Sequence, residues 1–160
     1  MTPNGGEQVR PIIKSLPLSI AAAALVSMAA AGCATTATQA GFRGYIWQVI
    51  EIDHAGKETP IAPYSDDLMF APNGDFVANE PINTHFGSYH QTRGGFTTTD
   101  MAETYVEYVG HDPVVLLSIG AISAFDNGVH SRVQLTGNRL TVTVGGYRLI
   151  CQRDGTYQTR

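Results

Sequence analysis

The sequence predicts a mainly β protein, a single curved antiparallel sheet or small barrel of about seven or eight strands with one or two short helices. Three observations support this fold class. Short runs rich in β-branched and aromatic residues recur along the chain, tight-turn sequences separate them, and one stretch, Val114 to Phe125, suits a helix. No repeat of fixed period is visible.

The first half of the predicted domain contains one buried strand and one hairpin. Tyr45 to Ile52 carries bulky apolar groups on both alternating faces, and residues 54–57 follow it as a turn. Asp67 to Phe70 and Asp75 to Ala78 flank Ala71-Pro72-Asn73-Gly74, where proline sets φ and Asn-Gly accepts the positive φ of a tight turn. These two runs therefore predict a hairpin.

The second half contains further strands. Phe86 to His90 and Gly95 to Thr98 can pair across residues 92–94, whereas Thr104 to Val109 alternates and fits either a strand or part of a helical segment. Three C-terminal strands form an antiparallel meander because Gly137-Asn138 and Gly145-Gly146 supply its turns; they are Arg132 to Leu135, Leu140 to Val144, and Tyr147 to Cys151.

Val114 to Phe125 is predicted as a short helix. Asp112 can cap it, and Pro113 suits its first turn. A buried strand is the alternative, because the run begins with β-friendly residues and Gly120 would interrupt a helix.

The N-terminus is typical of an exported protein. Arg10 and Lys14 precede an uncharged, alanine-rich run from Leu16 to Gly32, which is too short for a simple membrane span of about 20 residues. Ala30-Ala31-Gly32-Cys33 resembles a bacterial lipobox, with Ala30 where leucine is commonest. We therefore predict a signal peptide over residues 1–32 and lipidation of Cys33. The alternative is ordinary signal-peptide cleavage that leaves Cys33 as a plain thiol.

Residues 33–40 are predicted to form a flexible tether, residues 41–155 the β-domain, and residues 156–160 a tail. Cys33 and Cys151 are the only cysteines, so lipidation of the first leaves the second unpaired. Cys151 is interpreted as a small buried apolar residue of the last strand. A disulfide between the two cysteines is the alternative for an unlipidated protein.

Charge limits the partners. From Cys33 to Arg160 the chain has 8 Lys and Arg against 13 Asp and Glu, a net charge of −5 with histidines neutral. The sequence shows neither a basic patch for nucleic acid nor a basic amphipathic helix for anionic lipid. The expected partners are the membrane, through lipid on Cys33, and an unknown envelope protein or wall component on the extracytoplasmic side.

No pattern of catalytic or metal-binding residues is found. His85 and His90 are five residues apart, which puts them on opposite faces of a strand, and a zinc site needs about three protein ligands. Ser88 and Ser118 lack a Gly-x-Ser-x-Gly setting, although either could in principle join a histidine and Asp100. We therefore predict no catalytic residue, metal or cofactor.

The acidic pairs and the aromatic residues have structural interpretations. Asp66 with Asp67, and Glu103 with Glu107, are expected to be solvated charges. The aromatic residues either fill the core or line an apolar cavity, as small barrels that hold ligands do. They are Tyr45, Trp47, Phe70, Phe76, Phe86, Tyr89, Tyr105, Tyr108 and Phe125.

The order of these features resembles the META domain of the HslJ-like family of bacterial envelope proteins. The resemblance spans most of residues 41–153 and rests on Trp47-Gln48-Val49, Leu68-Met69-Phe70, Asn73-Gly74, Asn83, Phe86-Gly87-Ser88-Tyr89, Thr99-Asp100-Met101-Ala102 and residues 135–142. Ile82 and Glu103 stand where the family commonly has cysteines, so the disulfide that those cysteines would form is absent. The segment from Tyr105 to Pro113 is unusually long for the family. The resemblance implies an envelope protein, sometimes linked to stress or drug tolerance, with no established catalytic residues.

The leading functional hypothesis is therefore a lipid-anchored, non-enzymatic envelope module that binds another component or has a structural role. A carrier of an apolar small molecule or lipid in a small barrel is the first alternative. An envelope hydrolase that uses Ser88, Ser118 or Cys151 is the second.

Overall fold

The computed structural model describes residues 41–63 and 65–157, which belong to one compact unit. Nine strands form one antiparallel sheet in the order β2-β1-β3-β4-β5-β6-β7-β8-β9, and β9 pairs back onto β1. Eight strands thus close a barrel, and β2 is an extra strand beside β1. The predicted fold class is confirmed. The predicted signal peptide, Cys33 and the tether lie outside the described residues.

The strands are β1 (Tyr45–His54), β2 (Lys57–Pro60), β3 (Asp67–Phe70), β4 (Asp75–Asn79), β5 (Thr84–Thr92), β6 (Gly95–Glu103), β7 (His130–Thr136), β8 (Arg139–Val144) and β9 (Tyr147–Thr156). One helix, α1 (Pro113–Ser123), joins β6 to β7 in the described part of the chain. The predicted hairpins, the C-terminal meander and the helix are confirmed. β9 continues one residue past the predicted domain boundary at residue 155.

The predicted turn at residues 54–57 is confirmed, because β1 ends at His54 and pairs across Ala55-Gly56 with Lys57. The strand that begins at Lys57, β2, was not predicted. β2 has the sequence Lys-Glu-Thr-Pro, whose composition disfavours a strand, and it forms because the turn at Ala55-Gly56 folds it back onto β1. The prediction for Thr104 to Val109 was wrong, because this segment is neither strand nor helix but irregular.

Side-chain hydrogen bonds hold the start of this irregular segment. Asn83 Oδ1 accepts the backbone N–H of Val106 at 2.7 Å, and Asn83 Nδ2 donates to the Val106 carbonyl at 3.1 Å. A side-chain amide thus takes the place of a strand partner. The alternating pattern of residues 104–109 therefore does not lead to a strand.

The barrel is filled. Six aromatic side chains contact one another in its interior with ring centroids 4.8 to 6.1 Å apart; they are Phe42, Phe70, Phe76, Tyr89, Phe96 and Phe125. Such offset and edge-to-face pairs add to the stability that burial itself provides. Of the two interpretations of the aromatic residues, the filled core is the observed one.

The predicted core list was partly wrong. Phe86 is 45% exposed on the outer face of β5, and Tyr105 is 83% exposed on the irregular segment. Phe42 and Phe96 are fully buried but were not in the predicted core. Phe42 lies before the first strand, where a strand pattern gives no information about burial.

Helix α1 covers one end of the barrel. Asp112 accepts hydrogen bonds from the N–H groups of Val114 at 2.8 Å and Val115 at 3.4 Å, which explains where the helix begins. Gly120 leaves room for the hydroxyl of Tyr147, which would lie 2.7 Å from a Cβ at that position. We call the end of the barrel that α1 covers the helix end; it also holds the β4–β5 and β8–β9 turns.

The opposite end is where the described chain begins, and we call it the N-terminal end. It holds residues 41–44 and the β3–β4, β5–β6 and β7–β8 turns. The chain is fixed there because Gly44 donates to the Phe70 carbonyl at 2.7 Å and Tyr157 donates to the Gly44 carbonyl at 2.8 Å. Phe42 packs into the aromatic core from this end.

Candidate functional site at the helix end

Two carboxylates flank a buried histidine at the helix end. His85 Nδ1 lies 3.3 Å from Glu103 Oε2, and His85 Nε2 lies 4.0 Å from Glu80 Oε1. The second distance is too long for a hydrogen bond, and His85 Nε2 has no partner. Glu80 is itself held by the N–H groups of Ile82 at 2.8 Å and Asn83 at 2.9 Å. The β4–β5 turn thus positions this group.

A second polar group lies inside the barrel. Asp66 is fully buried, and burial raises the pKa of its carboxyl; hydrogen bonding from Ser65 and Ser118 opposes this rise, and the charge of Glu80 adds to it. Ser65 Oγ donates to Asp66 Oδ1 at 2.5 Å. Ser118 lies close by, but neither its Oγ nor Asp66 Oδ2 completes a hydrogen bond of good geometry. The prediction that Asp66 is a solvated charge was wrong.

Two neighbouring clefts open at the helix end. One, of about 280 Å³, is lined by residues that include His85, Glu103 and Asp126. The other, of about 270 Å³, is lined by Glu80, Glu103, Glu107 and the side chains of the irregular segment. Neither lining contains Lys or Arg.

Three exposed apolar side chains line the second cleft: Tyr105 is 83% exposed, Val106 57% and Leu116 49%. Val109, on the same irregular segment, is 81% exposed. These four side chains lie on the irregular segment and on α1, and we call them the apolar patch. Exposed apolar groups that cluster in this way are typical of interaction sites.

The surroundings of the patch are acidic. No Lys or Arg occurs from Gly94 to Ser131, whereas the same stretch contains five acids: Asp100, Glu103, Glu107, Asp112 and Asp126. The predicted exposure of Glu103 and Glu107 is confirmed. The helix end therefore combines apolar side chains with a local excess of negative charge, an arrangement that suits a cationic and partly apolar partner.

The candidate nucleophiles are poorly placed for chemistry. Cys151 and Ser118 are buried, and burial, with the charge of Asp66 as the smaller cause, raises the pKa of the Cys151 thiol. Ser88 is half-buried on β5. Cys151 is a free thiol in β9, as the interpretation of it as a buried apolar residue requires.

The predicted opposite facing of the two histidines on β5 is confirmed, since His85 is buried and His90 is exposed. Among residues 41–63 and 65–157 there is no group of three or more His, Cys, Asp or Glu arranged to hold a metal ion. Over the same residues no helix is long and apolar enough to cross a bilayer. Cys33, the predicted lipidation site, lies outside the described residues.

The sequence interpretation missed the apolar patch. Its aromatic and aliphatic residues follow the same pattern as core residues, so composition assigned Tyr105 to the core. One signal was available: the segment from Tyr105 to Pro113 is longer than the family resemblance predicts, and long loops often carry binding residues.

Together these features define a filled antiparallel barrel whose helix end carries exposed apolar side chains beside two acidic clefts. No model of a known protein family matches the chain, and no curated protein matches it. Two solved structures share the fold. One, from Burkholderia xenovorans and determined by NMR, has 16% identity and a TM-score of 0.56 over 75% of this chain and 88% of its own. The other NMR structure has 19% identity and a TM-score of 0.54 over 72% and 93%. These similarities establish the fold alone, and the META resemblance stays a prediction.

Proposed function

We propose that this chain is a binding module of the cell envelope, held by lipid on Cys33, that captures a cationic and partly apolar segment of another envelope protein at its helix end. The observation that carries the proposal is the apolar patch beside two clefts that are lined by acids and contain no Lys or Arg. Apolar area would supply affinity, and the acids would favour a cationic partner.

The packing of the interior favours surface binding over a carrier role. Aromatic side chains fill the space that an apolar ligand would need in a barrel of this size. A hydrolase is also less well supported, because the side chains of Ser118 and Cys151 are buried away from substrate.

Binding is tested first with synthetic peptides, one of alternating Lys and Leu and a matched one with Glu in place of Lys. We expect the full-length protein to bind the Lys peptide alone, and salt to weaken that binding. Tyr105→Ser with Val109→Ser, or Glu103→Gln with Glu107→Gln, should reduce affinity. The control pair Asp75→Asn with Asp154→Asn removes two charges at the N-terminal end and should not. Equal binding of both peptides, or equal losses in all variants, would refute the proposal.

The cellular partner is then sought with a photocrosslinking amino acid in place of Tyr105, and in place of Asn138 as the control. The proposal expects a protein crosslinked through a Lys- or Arg-rich segment at the first position only. A crosslink to a wall polymer instead would mean that the partner class is wrong.

The anchor has its own test. Intact mass of the membrane fraction should show an acylated protein that begins at Cys33, and Cys33→Ala should lose both the added mass and the membrane association. An unmodified wild-type mass would overturn the anchor and leave the peptide-binding result unaffected.

A further inference from the structure

The barrel has opposite charge at its two ends. Among the described residues, turns and strand ends that are far apart in sequence bring four arginines to the N-terminal end, against two acids, Asp75 and Asp154. The arginines are Arg43 before β1, Arg93 in the β5–β6 turn, Arg139 at the start of β8 and Arg153 near the end of β9. We call these four the arginine rim.

The rim is open to solvent. Arg43, Arg93 and Arg139 are exposed, whereas Arg153 is half-buried with its guanidinium 4.0 Å from the centroid of the Tyr45 ring. Arg43 is held in place by hydrogen bonds to the Tyr89 hydroxyl at 3.1 Å and to the Pro72 carbonyl. Three guanidinium groups around the rim are thus accessible to an anionic surface.

The chain enters the domain at this same end. Residues Gly41 to Gly44 lie at the N-terminal end beside the arginine rim, and the hydrogen bond from Trp47 Nε1 to the Phe42 carbonyl at 2.8 Å helps to fix them. Cys33 is 8 residues before Gly41, so a fully extended tether would span at most about 28 Å. A lipid on Cys33 therefore keeps the rim within reach of the headgroups.

From the charge of the rim and the entry point of the chain, we propose that the arginine rim rests on anionic lipid headgroups and points the apolar patch away from the membrane. Each basic residue near an anionic leaflet favours contact by about fivefold, and lipid together with a basic surface gives the two signals that stable attachment requires. The acidic helix end would be repelled by the same surface. This inference rests on the anchor proposed at Cys33 but not on what the apolar patch binds.

The test measures orientation directly. The full-length protein carries a dye on an unnatural amino acid in place of Asn138, at the N-terminal end, or of His111, at the helix end. It is reconstituted into phosphatidylcholine vesicles with or without about one third phosphatidylglycerol, which supplies the anionic surface, and with an acceptor dye on the headgroups. Energy transfer then reports the distance of each end from the membrane.

We expect phosphatidylglycerol to raise transfer from the Asn138 position and lower it from the His111 position, and high salt to remove both changes. Arg93→Gln with Arg139→Gln should reduce the preference for this orientation by about thirtyfold. Lys57→Glu makes the same change in net charge at the helix end and should not reduce it.

Equal transfer from both positions on phosphatidylglycerol vesicles, or an unchanged response in the arginine double variant, would overturn the inference. Protein that does not float with anionic vesicles at low salt would overturn it too. Intact mass distinguishes a missing anchor from a wrong orientation, and the peptide assay reports the apolar patch separately.

Discussion

Replacing Asp66 with asparagine should stabilise the protein at neutral pH. The carboxyl is fully buried, its Oδ2 has no hydrogen-bond partner, and burial raises its pKa above the ordinary value of 3.8. Asparagine has nearly the same shape, can still accept from Ser65 Oγ, and offers an amide to the unpartnered Ser118 Oγ. The substitution removes a buried charge without opening a cavity.

The sign of the pH dependence follows from the direction of this shift. Between pH 3.8 and the raised native pKa, the native state binds more protons than the unfolded chain, so the contribution of Asp66 to stability falls as pH rises. Asp66→Asn should remove that slope. Its gain at neutral pH should be roughly 1 to 3 kcal/mol, the usual cost of a buried polar group without a partner.

Urea unfolding of the purified protein at a series of pH values measures this effect. Asp154→Asn makes the same chemical change at an exposed position and should leave both the stability and the slope nearly unchanged. A variant that is less stable than wild type at neutral pH, or that keeps the wild-type slope, would refute the reasoning. Lower stability would mean that native Asp66 is ionised and stabilised by its surroundings, whereas an unchanged slope would mean that folding does not shift the pKa of Asp66.

Two further substitutions test the core and the irregular segment. Phe96→Ala should lower the free energy of unfolding by about 3 to 5 kcal/mol because the cavity would open among packed rings, whereas Phe86→Ala, on the outer face, should cost far less; similar losses would contradict the filled core. Asn83→Ala should speed amide hydrogen exchange at Val106 and leave global stability within about 1 kcal/mol. Asn138→Ala is its control, and unchanged exchange at Val106 would show that Asn83 does not hold the segment.

Local chemistry made much of the barrel predictable. The Asn73-Gly74 turn and the alternation of β7 to β9 specify hairpins within a few residues, and hairpins joined in series give an antiparallel meander. Asp112 and Pro113 likewise marked the start of α1. Where pairing depended on a partner rather than on composition, the prediction failed: β2 was missed, and residues 104–109 were wrongly expected to form a strand or part of a helix.

The candidate site was largely unpredictable for the same reason. Tyr105 and Phe96 are both aromatic residues within β-favourable stretches, yet one is 83% exposed and the other is fully buried. Only the position of a residue relative to the closed sheet separates the two cases. The burial of Asp66 was missed because sequence assigns an acid to the surface by default.

By itself the sequence determined the antiparallel character of the domain, the places of most turns and the single helix, because these depend on residues close together in the chain. Closure of β9 onto β1, the filling of the interior and the opposite charges of the two ends were decided only by the tertiary structure. The net charge of a sequence does not tell where on the fold its charged side chains lie. Arg43, Arg93 and Arg139 are some 46 to 96 residues apart in the chain, and they come to one end because alternate turns of a barrel meet there.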